Sequence, residues 1–333
     1  MDPTLSIMPW NTCNARCAHC GPDSGPHDKT GLSHNRVLEL IRDASEEYQS
    51  PWCLSLSGGE IFLYYDRLLE YCKTASEGGG YTTLITNCYW AKTVERAKEL
   101  LKPLIDNKLL ILGVSYDKFH DPYIDPEYVK NAIRAARELH LKCHVRSVAT
   151  KSNRMVDVMQ RLTDGHLWYV DFMEMPCVPA GRAIKEVSAD ELIFADEFPA
   201  GRCPAASLTI NPKGDGMICC NSAGEIPEMN VGNVKEHSLP QLEDSFRFSP
   251  LVGFLCRKGP AAALDFLSDD EKLELKEKQY VSVCHLCHDI FNDEERRRKI
   301  LNEVNESTWQ QLTKSMPSLA MSLDLFLEQE IHD

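Results

Sequence analysis

The stretch Cys13-Asn14-Ala15-Arg16-Cys17-Ala18-His19-Cys20 places three cysteines within one short segment, directly after a brief apolar run. Three thiolates on one tight loop are soft ligands, and they suit an iron–sulfur cluster better than a hard cation. A closed zinc site needs a fourth ligand, and the only one nearby is His19, which would compete with Cys20 for the same face. The loop therefore predicts a cluster with one open iron. The alternatives are a disulfide with a leftover thiol, or core cysteines.

Length and composition set the broad class of the protein. At 333 residues the chain is long enough for about two domains, and its 43% hydrophobic and 26% charged content is that of a globular protein. A net charge of −14 argues against nucleic acid as a partner. There is no signal peptide, and no apolar run approaches the roughly 18 residues that span a bilayer. We therefore expect a cytoplasmic protein without a membrane partner, whose fourteen cysteines are metal ligands and buried thiols.

The first half of the chain alternates apolar strands with amphipathic helices. Ser33 is the predicted N-cap of the first helix, and Asp125 caps a later helix that has Pro126 at its first position. Six successive strand–helix units imply a parallel sheet with right-handed crossovers, and six are too few to close an eight-stranded barrel. The predicted fold class is thus α/β with an open, partial (β/α)6 barrel. The six strands are predicted near residues 5–8, 53–56, 81–85, 110–114, 144–149 and 168–173.

Polar residues follow each predicted strand at its carboxyl end, where chemistry collects in parallel sheets. The three-cysteine loop follows strand one, and Ser57-Gly58-Gly59-Glu60 follows strand two. The ends of the next strands supply Asn87, Ser115 and Asp117, and strand five carries Arg146. All of these groups are expected on one rim.

After about residue 190 the alternation stops. Gly214-Asp215-Gly216 is the predicted turn of a hairpin, and a helical stretch precedes a Cys-x-x-Cys pair. Four soft ligands can be assembled here, and a structural zinc site is the alternative to an iron–sulfur cluster. The tail from Asp293 is expected to be helical. The four cysteines are Cys203, Cys219, Cys284 and Cys287.

The cysteine triad followed by Gly-Gly-Glu resembles the signature of radical S-adenosylmethionine (SAM) enzymes. The resemblance implies that Cys13, Cys17 and Cys20 hold a [4Fe–4S] cluster whose open iron is chelated by SAM. Gly58 and Gly59 would allow close backbone approach, and Glu60 would accept from the methionine ammonium. His19 would lie near the adenine. Four further residues are candidates for the surroundings of the ribose and the carboxylate: Asn87, Ser115, Asp117 and Arg146.

The second half resembles the twitch extension of these enzymes, a shortened SPASM domain. That resemblance implies a second, auxiliary [4Fe–4S] cluster on Cys203, Cys219, Cys284 and Cys287. The expected domains are a radical SAM core at 1–190, a twitch/SPASM-like domain with a helical insert at 191–292, and a helical tail at 293–333. Most other cysteines are interpreted as core, and Cys88 and Cys177 lie nearest to the active rim.

Blocks along nearly the whole chain, including Ser115-Tyr116-Asp117-Lys118-Phe119-His120 and the Cys219-Cys220 pair, resemble the epipeptide-type radical SAM peptide epimerases. The resemblance implies that a 5′-deoxyadenosyl radical takes a Cα hydrogen from a ribosomally made precursor peptide. Cys220 would then donate hydrogen from the opposite face, giving a D-residue. A low-potential electron donor of the flavodoxin or ferredoxin type would supply the electron.

One position departs from the epimerases, because Ser207 stands where they carry an active-site aspartate. The alternatives are therefore thioether or C–C cross-linking of a peptide, or alcohol dehydrogenation with the auxiliary cluster as electron acceptor. A non-catalytic iron–sulfur or zinc protein is a third hypothesis. The short segment before Cys13 leaves no room for an amino-terminal leader-binding domain, so we expect the cleft or another protein to hold the peptide.

Overall fold

The fold is built on a single mixed sheet, seen in a computed structural model that describes residues 2–162, 170–203, 206–219 and 222–315. In this part of the chain nine strands are hydrogen-bonded in the order β6-β5-β4-β3-β2-β1-β7-β8-β9. The strands are β1 (Thr4–Ile7), β2 (Trp52–Leu56), β3 (Gly80–Thr86), β4 (Leu109–Ser115), β5 (Lys142–Ala149), β6 (Asp171–Pro176), β7 (Ala206–Ile210), β8 (Asp215–Cys219) and β9 (Asn230–Asn233).

Helices connect the first six strands, and their caps agree with the sequence. The side chains of Ser33, Thr93 and Asp125 each accept a backbone N–H at the start of a helix, as N-caps do. The helices are α1 (His34–Glu47), α2 (Tyr65–Glu77), α3 (Val94–Asp106), α4 (Pro126–Glu138), α5 (Met155–Leu162), α6 (Ala183–Glu186), α7 (Leu239–Arg247), α8 (Pro250–Arg257), α9 (Asp269–Glu277), α10 (Val283–Asn292) and α11 (Glu294–Ser315).

Strands β1 to β6 are parallel to their neighbours, which confirms the open (β/α)6 sheet. Strand β7 then pairs in parallel with β1, and β8 and β9 continue antiparallel. The sheet therefore runs across the predicted boundary near residue 190 without a break. Leu208 and Ile210 of β7 pack in the same hydrophobic cluster as the core of the barrel.

Two element boundaries differ from expectation. Strand β6 begins at Asp171 and extends to Pro176, later than the predicted 168–173, of which 168 and 169 lie outside the described residues. The turn between β7 and β8 is formed by residues 211–214, and Asp215 and Gly216 already belong to β8. Asn211 causes the shift, since its side chain accepts from the N–H groups of Lys213 and Asp215 and closes the turn earlier.

A second hydrophobic cluster forms between Ile218, the helices α8 to α11 and the 3₁₀ turn around Ala263 and Leu264. This cluster covers the end of the β7–β8 hairpin away from its turn. Among the described residues, none of the helices combines the length and the hydropathy that a membrane span requires.

Candidate active site

A cavity of about 270 Å³ lies at the carboxyl ends of the parallel strands. Every residue predicted for the first cluster and for SAM lines it. These residues are Cys13, Cys17, His19, Cys20, Gly58, Gly59, Glu60, Asn87, Ser115, Asp117 and Arg146. A larger open groove of about 990 Å³ beside α1 contains none of them. Residues far apart in sequence thus meet in one place.

The cysteine loop places its three thiols in a largely dry environment. Cys17 is buried, and burial raises the pKa of Cys13 to about 12 and also raises the pKa of Cys20. A buried thiolate needs a cation beside it, and a bound metal removes the thiol proton outright. Three thiols around one cavity, one buried and two partly buried, therefore fit the chemistry of an iron–sulfur cluster.

The Gly58-Gly59 turn packs directly against the backbone of the cysteine loop. Gly59 donates to the carbonyl of Trp10 over 2.9 Å, and Glu60 donates to that of Thr12 over 2.9 Å. A Cβ at Gly59 would lie 2.0 Å from the Thr12 carbonyl oxygen, and Gly58 has a φ of +121°. Only glycine fits at both positions, because the two backbones touch there.

Glu60 is a buried carboxylate with three donors from the protein. It accepts from the backbone N–H of Phe62, from the hydroxyl of Thr86 at 2.7 Å and from the backbone N–H of Asn87 at 2.8 Å. Burial raises the pKa of Glu60 to about 7, although these hydrogen bonds oppose the rise. A carboxylate has about four acceptor positions, so one is left for a ligand.

Asp117 orients two histidines at the cavity wall. Its carboxylate lies 2.9 Å from Nε2 of His19 and 2.8 Å from Nδ1 of His120, and it also accepts the N–H groups of Phe119 and Val148. Burial alone would raise the pKa of Asp117, but the two imidazoles outweigh it and hold the pKa well below its usual range. Because its acceptor positions are filled, Asp117 holds His19 in place and has no free oxygen for a ribose.

The remaining predicted residues line the lumen on β3, β4 and β5. The Asn87 amide donates to Asn14 at 3.0 Å and lies 3.8 Å from the Cys13 sulfur. Ser115 is paired with Arg146 across β4 and β5. The Arg146 guanidinium donates to His144 at 3.0 Å, and burial together with Arg146 lowers the pKa of that histidine.

Sequence reasoning missed two residues of this site. His120 is buried, lines the cavity and lies 2.8 Å from the carboxylate of Asp117; its spacing of three residues from Asp117 was the available signal. Arg182 is also buried and donates to the carbonyl of Cys17 at 2.9 Å. The sequence gives no signal for its partner, because the contact joins residues 165 positions apart.

The second cysteine group gathers at the end of the β7–β8 hairpin away from its turn. Strand pairing sets Cys219 opposite Ala206, close to Cys203, and Cys284 and Cys287 share the first turns of α10. Burial raises the pKa of Cys287 well above its ordinary value, and the charges of the other three thiols raise it further. The four cysteines are therefore neighbours.

Other predicted residues have simpler environments. Cys88 and Cys177 are buried, and Cys88 belongs to the main hydrophobic cluster. Ser207 lies on β7, two residues before Thr209, which pairs with Ser6 of β1. Cys220 lies outside the described residues.

The fold and the cavity agree with the comparison against known families. Residues 7–159 match the family model of the radical SAM superfamily. Residues 7–159 thus form a radical SAM domain, a domain that uses a [4Fe–4S] cluster and SAM, and the protein is an enzyme. The predicted radical SAM resemblance is confirmed for this part of the chain.

Particular relatives extend the similarity beyond this domain. YydG of Bacillus subtilis (strain 168), whose name places it in peptide biosynthesis, is 23% identical over 299 residues, 88% of this chain and 93% of that protein. A structure of anSMEcpe with bound AdoMet and the Cp18Cys peptide is 14% identical, covers 96% of this chain and 99% of that one, and superposes with a TM-score of 0.55. Streptococcus suis SuiB bound to S-adenosylmethionine is 18% identical over 77% of this chain and 68% of that one, with a TM-score of 0.51. The two structures are similar in fold.

Proposed function

We propose that this protein modifies a ribosomally made peptide and that the modification is L-to-D epimerisation at Cα. The observation that carries the peptide substrate is the similarity to YydG, because it spans nearly the full length of both chains. Epimerisation rests on the resemblance that includes the Cys219-Cys220 pair. The cavity supports it, since the three cysteines, the Gly-Gly-Glu turn and His19 surround one space.

When bound, the cluster and SAM supply the radical that removes the Cα hydrogen of the peptide. Cys13, Cys17 and Cys20 would hold the cluster through their thiolates and leave one position open for SAM. Glu60 has one acceptor position left for the ammonium, and Arg146 and Asn87 are within the same cavity. His19, held by Asp117, provides a flat, fixed surface for the adenine.

Cys220 completes the reaction from the other face of the peptide. The Cα–H bond breaks on one face, and the hydrogen leaves with the cofactor. The S–H bond of Cys220 then breaks, and a new Cα–H bond forms on the opposite face. The thiyl left on Cys220 regains its thiol by taking one electron and one proton, the electron coming from a low-potential donor of the flavodoxin or ferredoxin type.

We further propose an auxiliary [4Fe–4S] cluster on Cys203, Cys219, Cys284 and Cys287. Four thiolates are also a common structural zinc set. The radical SAM domain in the same chain favours a cluster over zinc.

We also propose the division into domains at 1–190, 191–292 and 293–333. Ile218 and the helices α8 to α11 share a hydrophobic cluster, so the start of the tail packs against the second domain. The shared sheet indicates that the first two domains form one continuous structure.

The test is turnover in deuterated water with anaerobically reconstituted enzyme, SAM, dithionite and peptides encoded near the gene. We expect a D-residue carrying one deuterium at Cα, because the thiol of Cys220 exchanges with solvent. The variant Cys220→Ala should lose this product while still cleaving SAM. Cys256→Ala is the matched control, since Cys256 is exposed on α8 and is not part of either cysteine group.

Product formation by Cys220→Ala at the wild-type rate would exclude Cys220 as the donor. Iron and sulfide analysis tests the second cluster, and Cys287→Ala should retain about half of the wild-type iron. A content of one zinc per chain, with iron for only one cluster, would contradict the proposed auxiliary cluster.

Ser207 favours a second candidate function, because the carboxylate of the epimerases is missing there. In that case the substrate radical loses a second electron to the auxiliary cluster, giving an oxidised residue or a thioether or C–C cross-link. The mass of the product decides: epimerisation leaves the mass of the peptide unchanged in ordinary water, and oxidation or cross-linking removes two hydrogens.

A further inference from the structure

The turn that follows β6 contacts the cysteine loop at Cys17 and Cys20, whereas the Gly-Gly-Glu turn contacts the residues just before Cys13. The backbone N–H of Arg182 donates to the carbonyl of Cys20 over 3.1 Å. Its guanidinium donates to the carbonyl of Cys17 at 2.9 Å and to that of Ser24 at 2.6 Å. One side chain therefore ties together both ends of the segment that carries two of the three cysteines.

The backbone of the turn at Gly181 lies in direct contact with the backbone of the cysteine loop at Gly21. Gly181 has a φ of +57°, and a Cβ there would lie 2.0 Å from the carbonyl oxygen of Gly21. A side chain at this position would push the turn off the loop. The position of Arg182 thus depends on direct backbone contact as well as on its own hydrogen bonds.

The charge of Arg182 is buried beside the cysteines. Its side chain is 4% exposed, whereas its ion-pair partner Asp23, 2.6 Å away, is 66% exposed and hydrated. Among the residues that the structure describes, none offers a hydrogen-bond partner to the buried Nε.

We propose that Arg182 is a positioning residue for the first cluster, which fixes the cysteine loop and raises the reduction potential of the cluster. Reduction adds one negative charge to a cluster held by thiolates, and a fixed positive charge in a poorly screened place stabilises that reduced state most. Arg182 itself is neither oxidised nor reduced; the single electron comes from dithionite or from the low-potential donor. The inference rests on the proposed ligands Cys13, Cys17 and Cys20.

Arg16 provides a matched control on the same loop. Its guanidinium pairs with Glu186 at 2.6 Å, and its side chain is 54% exposed. Both arginines therefore connect the cysteine loop to the segment after β6, but Arg16 lies in water. A charge in water is screened and should have little influence on the cluster.

The experiment is a redox titration of anaerobically reconstituted protein, followed by electron paramagnetic resonance. The first cluster is recognised by the change of its signal when SAM is added. At a fixed potential we expect Arg182→Met to lower the ratio of reduced to oxidised cluster at least tenfold, which for one electron is a shift of about 59 mV. Arg182→Lys keeps the charge and should stay within about threefold of wild type, as should Arg16→Met.

The proposal is overturned if the ratio of reduced to oxidised cluster in Arg182→Met equals that of the wild type. It is also overturned if this ratio falls as far in Arg182→Lys as in Arg182→Met. If Arg182→Met does not retain iron, Arg182→Lys decides through the rate at which a chelator removes iron, because lysine lacks the planar fork of donors. Faster release than in Arg16→Met supports the positioning role, and an equal rate refutes it. Cys13→Ala tests the ligands separately: a SAM-sensitive signal that survives this change would refute the ligand assignment, whatever the arginine variants do.

Discussion

The hydroxyl of Thr86 connects the rim of the barrel to Glu60, and its removal gives a sharp test of the site. It donates to the carboxylate of Glu60 at 2.7 Å and accepts from the backbone N–H of Cys88 at 3.1 Å and the indole N–H of Trp90 at 2.9 Å. Thr86 is buried. Thr86→Val keeps the shape of the side chain and removes all three hydrogen bonds.

The size of the effect follows from these partners. A hydrogen bond to a charged group contributes about 1.5–3 kcal/mol, and each buried donor left without a partner costs about 1–3 kcal/mol before relaxation. Since such terms do not add fully, we expect Thr86→Val to lower the free energy of unfolding by about 3 kcal/mol. Losing one donor should also weaken the hold of Glu60 on the ammonium of SAM.

Thr209 on β7 is the control for the same chemical change. It is also buried, and within the described residues its hydroxyl has no hydrogen-bond partner. Thr209→Val should therefore leave the stability unchanged or raise it by up to about 1 kcal/mol, because a buried hydroxyl without a partner is itself unfavourable.

The assay is anaerobic urea denaturation of the iron-loaded protein, followed by tryptophan fluorescence and far-UV circular dichroism, with SAM affinity measured on the folded protein. If Thr86→Val and Thr209→Val lose the same stability, the hydrogen bonds of the Thr86 hydroxyl are not the cause of the loss. A neutral Thr86→Val would refute the argument directly.

Two further changes test the loop and its surroundings. Gly59→Ala should abolish cluster loading, because its Cβ would lie 2.0 Å from the Thr12 carbonyl oxygen. Gly201→Ala is the control and should load normally, because a Cβ there meets nothing within 4 Å. The iron content per chain measures both. Asp117→Asn presents an amide N–H₂ to groups that now donate to a carboxylate, so we expect a loss of about 2 kcal/mol in stability and weaker SAM binding through a displaced His19, both measured in equilibrium titrations.

The order of strands and helices could be predicted because each unit has a strong local signal. Apolar runs marked the strands, and Ser33 and Asp125 marked helix starts that the structure retains. The pairing of β7 with β1 could not be predicted in this way. It joins Ile7 to Ile210, and the pattern of a strand says which face is buried but not which neighbour it pairs with.

The candidate site was predictable wherever a residue carries its own chemistry. Closely spaced cysteines and a Gly-Gly-Glu motif can be recognised in the sequence itself. The rule that polar residues collect at the carboxyl ends of parallel strands placed Asn87 and Ser115 on the same rim. Groups that position other residues were missed, and the contacts of Asp117 with two histidines were not foreseen. Its spacing put it correctly at the cavity, but its oxygens are filled by protein donors that only the folded chain brings near.

Three separate parts of the chain hold the cysteine loop, and this explains why so much of the rim is polar yet unavailable to a ligand. The Gly-Gly-Glu turn contacts the backbone just before Cys13, Arg182 contacts the carbonyls of Cys17 and Cys20, and Asp117 fixes the ring of His19. A preorganised loop binds a cluster more tightly, because any rearrangement of the ligands on binding would lower the affinity for iron. We therefore expect the glycines and Arg182 to be as necessary to the site as the cysteines, although they are not proposed as metal ligands. A cysteine triad grafted onto another strand end without these contacts would supply the ligands but not their arrangement.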